Sequence, residues 1–135
     1  MADVPSMADQ ELIAKALEVL HYRELSSECV AGEVSAALLT DTGNLYTGVS
    51  ISAACGIGFC AEHSAIAQMV TQGESRIIKI VAISGDGRIL PPCGRCRELM
   101  YQVNVANLEA EILLGSGRRA TLSQLLPERW QDAWS

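Results

Sequence analysis

The chain has 135 residues, a formal net charge of −6 and five cysteines, and 49% of it is apolar. That is enough for one hydrophobic core over residues 1–135 without disulfide staples, and too apolar for a disordered chain. The acidic balance argues against a grip on a nucleic-acid polymer, which needs clustered Lys and Arg, and no apolar run reaches the length of a membrane span.

The first residues, MADVPSMADQE, show no basic segment followed by an apolar one, so no signal peptide is expected. An odd number of unevenly spaced cysteines does not suit a secreted disulfide framework. A reducing cytoplasm is the expected setting, where paired cysteines serve metal or redox chemistry.

Ser6 and Asp9 suggest a capping box, and Ile13, Ala16, Leu17 and Leu20 recur at helical spacing, which predicts a helix over about 7–22. VSAALLT (34–40) and LYTGVSI (45–51), separated by the turn residues DTGN, predict a hairpin. From Ala61 the pattern turns helical through Ile66, Met69 and Val70, and Gly73 closes that helix. RIIKIVAIS (76–84) predicts a buried strand, 93–103 a helix and AEILLG (110–115) a last strand. Thr121 and Gln124 form a second capping box before a short helix that ends at Pro127. Strands alternating with helices behind an antiparallel hairpin predict an α/β sandwich around a mixed sheet.

Cys93 and Cys96 form a C-x-x-C pair, a spacing that suits tetrahedral zinc. Both fall at a predicted helix start, and so does Cys60, where the helix dipole favours thiolate. Three thiolates leave a fourth position open for water, as a catalytic zinc site requires. Glu62, two residues past Cys60, can face the same cavity without ligating and move the water's proton. Two other readings compete. One is a thioredoxin-like redox pair. The other is a structural zinc with Cys29 or Cys55 as fourth ligand.

C-x-E followed by P-C-x-x-C resembles the signature of zinc deaminases. CAEHSAI (60–66) and PPCGRCREL (91–99) are similar to the cytidine deaminase superfamily, and within it to the small homotetrameric cytidine deaminases and blasticidin S deaminase. VSAALLT, LYTGVSI and LLPERW (125–130) extend the likeness over most of the chain. The resemblance implies a three-layer α/β fold with a five-stranded mixed sheet. It implies one zinc per chain on Cys60, Cys93 and Cys96, with Glu62 as proton shuttle. It implies attack of activated water on C4 of a cytosine ring, protonation of N3 and then of the leaving amine by Glu62, and loss of ammonia. The Ala61 N–H and carbonyls around Pro91, Pro92 and Cys93 would read the base edge. Neighbouring subunits of a homotetramer would complete each pocket, with Trp130 as a cover. Arg95 and Arg97 flank Cys96 and are expected to donate to thiolate sulfur. His63 stands where arginine is usual, and could also point at a sulfur. C-G-R-C, with Arg95, resembles blasticidin S deaminase in particular.

The sequence departs from that family where relatives grip the ribose. Their N-x-E motif falls on Ser50 and Ser52, shorter and uncharged, and an aromatic near the base falls on Gly32. Both changes imply a larger pocket and altered or relaxed sugar recognition. The expected function is therefore hydrolytic deamination of a cytosine-type nucleoside or related aminated heterocycle, a small-molecule substrate. The alternatives are a blasticidin S-type resistance deaminase, a polynucleotide deaminase, which the charge disfavours, and a non-catalytic protein that kept the zinc fold.

Overall fold

The computed structural model describes residues 5–134. Helix α1 (Asp9–Val19) precedes β1 (Arg23–Ser26), β2 (Cys29–Thr40) and β3 (Leu45–Ala53). Helix α2 (Ala61–Thr71), β4 (Ile77–Ser84), α3 (Gly94–Val103), β5 (Glu111–Gly115), β6 (Arg118–Thr121) and α4 (Leu122–Leu125) follow.

The sheet is mixed, as expected: β4 and β5 run parallel and the other pairs antiparallel. It holds six strands, not five. β2 pairs along its length with β3, while its other edge takes β1 at residues 29–31 and then β4 at 34–40. Two strands thus share one edge, and the sheet is five positions wide. Side chains alternate between two cores. Ala36, Leu38, Ile80, Ala82 and Ile112 face α2, α3 and α4, whereas Ala37, Val81, Ile83 and Leu113 face Leu12 and Ala16 of α1. Helix, sheet and helices form the three layers.

The expected cap on α1 does not form. Ala8 is the N-cap and no side chain bonds there. Asp9 instead pairs with Lys79 at 2.8 Å and Arg119 at 3.6 Å, tertiary ion pairs that outcompete a local cap. The Thr121–Gln124 capping box is present in full.

Two close approaches hold the helix that matters most. Gly48 of β3 lies under α2, where a Cβ would sit 2.4 Å from the Ala65 backbone nitrogen. At Gly58 a Cβ would sit 2.3 Å from the Ile51 carbonyl, because the loop before α2 folds back on β3 through paired backbone bonds between Ile51 and Phe59. Replacing Gly48 with Ala is expected to push α2 off the sheet and cost about 1–3 kcal/mol, read as a lower unfolding midpoint in urea. An unchanged midpoint would show that the helix rides free of β3.

Candidate active site

Two helix starts converge. Cys60 is the N-cap of α2 and Cys93 the N-cap of α3, so their thiols sit among free backbone N–H groups. Partial burial works to raise the Cys93 thiol, but the backbone N–H groups of Cys96 and Arg95 and the neighbouring thiols bring it below its ordinary value. Cys96 lies one turn into α3 and is fully buried. Burial first, then the Glu62 charge and the other two thiols, push Cys96 up. Three such thiols cannot all ionise unless a cation is held among them.

The spacing fits that cation. Cys60 and Cys93 sulfurs are 3.5 Å apart, Cys93 and Cys96 sulfurs 3.5 Å, and all three lie within 4.8 Å of one another. Sulfurs about 2.3 Å from a tetrahedral zinc stand about 3.8 Å apart. A disulfide needs about 2.05 Å, so neither pair is bonded, and a third thiol within reach of the other two suits a metal better than a two-cysteine redox pair. Cys55 is exposed and Cys29 half-buried, and neither joins the cluster as a fourth ligand. The donor set is therefore three cysteines, which suits zinc with an open position.

Glu62 follows on the first turn of α2. It is 6% exposed and lies in the wall of a cavity of about 630 Å³ that Cys60, Cys93 and Ala61 also line. Burial pushes its carboxyl above the ordinary carboxylate range, against the pull of its own backbone N–H and the Cys96 thiol. A carboxyl lifted by burial, in a wall it shares with the cysteine cluster, suits a group that takes up a proton and gives it back.

Ser50, Ser52 and Pro91 line the same cavity, where the resemblance puts them, and Arg95, expected at a sulfur, lines it as well. Four residues behave differently. The Pro92 ring is buried away from it, and its carbonyl accepts from Arg97 Nε at 2.8 Å. Arg97 is thereby turned from the sulfurs and also donates to the Leu125 carbonyl at 3.0 Å, tying the cysteine turn to α4. Trp130 is 60% exposed, donates its indole N–H to Glu98 at 3.3 Å, and does not line its own chain's cavity. Gly32 does not line it either. At φ +83° a Cβ there would lie 1.9 Å from the His21 carbonyl, so backbone crowding requires glycine. His63 does point at a sulfur, with Nδ1 3.5 Å from Cys96.

Glu33 is the charged lining residue that sequence reasoning passes over. Its signal is Gly32, whose left-handed backbone coincides with the register shift of β2 against β3 between Ala31 and Ser35. A bulge re-aims the residue that follows it.

Comparison with known proteins agrees with this geometry. The family model "Cytidine and deoxycytidylate deaminase zinc-binding region" matches residues 6–111. A cytidine deaminase of Halalkalibacterium halodurans is 33% identical over 98 residues, 70% of this chain and 74% of that protein. A blasticidin-S deaminase of Bacillus cereus is 29% identical over 134 residues, 93% of this chain and 94% of its own. The crystal structure of cytidine deaminase from Mycobacterium leprae superposes with a TM-score of 0.76 at 31% identity, covering 91% of this chain and all of that one. A shared fold, a family match over most of its length and a cysteine triad that fits zinc place this chain in the cytidine and deoxycytidylate deaminase family, as a zinc-dependent hydrolytic deaminase.

Proposed function

We propose that residues 1–135 form one domain that hydrolyses the exocyclic amine of a cytosine-type nucleoside, with sugar recognition altered from that of its relatives. The observation that carries this reading is the buried Glu62 carboxyl in a cavity wall shared with the cysteine cluster. Cys60, Cys93 and Cys96 would hold the zinc. When bound, zinc supplies a Lewis acid and an activated water. Glu62 would take one proton of the attacking water and deliver it to the ring nitrogen, then carry the second, from the added hydroxyl, to the leaving amine as the C–N bond breaks. Water and a cytosine-type base become a uracil-type base and ammonia. Ala61 and Pro91 face the ring, and Ser50 and Ser52 face its substituent.

A second reading, a blasticidin S-type substrate, is favoured by Arg95 in the cavity wall and by the likeness to the Bacillus cereus protein over nearly its full length. A homotetramer, with Trp130 and Trp134 set against a neighbour, is supported by the exposure of both indoles. Among the described residues no helix is long and apolar enough to cross a membrane.

Ammonia release should be screened over cytidine, deoxycytidine, cytosine and blasticidin S. At least one cytosine-type compound is expected to turn over, with the nucleosides well ahead of free cytosine. Release from none of them by zinc-loaded protein would overturn the reading.

A further inference from the structure

The cavity of about 630 Å³ has room for more than a six-membered ring, so the chemistry of the rest of its wall decides what the ring can carry. That wall holds a carboxylate from β2. Glu33 lines the cavity, and Ser52 Oγ donates to its Oε1 at 2.7 Å. Ser50 is used differently, its Oγ accepting from the Val34 N–H at 3.0 Å across the same bulge. The Glu33 backbone is fixed too, its carbonyl accepting from Gly85 at 3.0 Å. Among the described residues no Lys or Arg pairs with the Glu33 side chain, so its second oxygen stays free to accept.

We propose that Glu33, oriented by Ser52, is a specificity-determining residue that accepts hydrogen bonds from the sugar hydroxyls of a nucleoside substrate. An ionised carboxylate is acceptor-only, so it selects donors and repels phosphate. One oxygen is held by a serine hydroxyl and the other is left for the ligand. The geometry therefore presents a preset acceptor at low ordering cost. The inference rests on the nucleoside reading of the cavity and names the group that recognises the nucleoside's second half.

The test compares kcat/KM for cytidine and 2′,3′-dideoxycytidine in wild type, E33A and S52A, with melting curves for each. A charged hydrogen bond supports a wild-type preference for cytidine of about 30-fold, and E33A should cut that preference about tenfold, mostly through KM. S52A keeps the carboxylate but frees it, and should fall between. Glu33 is exposed, so E33A should melt with wild type. An active E33A enzyme with the wild-type preference overturns the role of Glu33 alone, as does an active wild type with no preference. A wild type that releases ammonia from neither compound overturns the nucleoside reading, and the role of Glu33 with it.

Discussion

Replacing Glu62 with Gln is expected to lower turnover about 1,000- to 10,000-fold, the upper range for loss of a positioned proton carrier. The amide fills the same volume but can neither take a proton from water nor return one to the ring nitrogen and amine. Binding should survive, because the proposed function gives Glu62 the proton transfers and leaves the ring to neighbouring backbone. The prediction is therefore a fall in kcat with KM changed little. Stability should hold or rise. Glu62 is 6% exposed beside three thiols, and removing a buried negative charge from that place relieves a desolvation cost. Steady-state ammonia release, zinc content and a melting curve on one preparation check all three. An E62Q protein with kcat near wild type would remove Glu62 from the chemistry.

Replacing Cys96 with Ala is expected to take zinc from about one per chain to below about a tenth, and activity with it. Cys96 is the critical member of the triad because it is fully buried, packs in the main core, and sits 3.5 Å from both the Cys93 sulfur and His63 Nδ1. The substitution therefore acts twice. It leaves a small void in the core, and it removes the stabilisation that bound metal gives the native state. With free zinc a thousandfold above Kd, that second effect alone is about 4 kcal/mol. Cys93 is exposed, so C93A should lose metal with a smaller packing penalty. Metal analysis and urea unfolding with and without zinc separate the two effects. C96A protein that keeps stoichiometric zinc would contradict the three-cysteine site.

The chemistry was legible in the sequence because its parts are local. C-A-E puts an acid two residues from a ligand, and C-G-R-C places two ligands on one turn, whatever the rest of the chain does. Helix starts after strands were equally legible from apolar period and turn residues. What escaped depends on tertiary placement. β1 (Arg23–Ser26) is exposed at every position and β6 (Arg118–Thr121) has no fully buried one, and neither has the apolar alternation that marks a strand. Arg97 directly follows a cysteine in sequence, yet the carbonyls of Pro92 and Leu125 offer it better acceptors. Asp9 left its cap for Lys79, 70 residues away. In sequence Gly32 reads as space for a substrate, whereas the His21 carbonyl fills that space. Glu33 went unnoticed for the same reason, since only the bulge turns it inward.

The most direct measurement is the rate of cytidine conversion to uridine by protein stripped with a chelator and then titrated with zinc. Stripped protein should be inactive, and activity should return linearly and level off at one zinc per chain, with no return for C96A. Full activity in stripped protein, or zinc-saturated protein that converts neither cytidine nor any other cytosine-type compound, would contradict a three-cysteine zinc deaminase site.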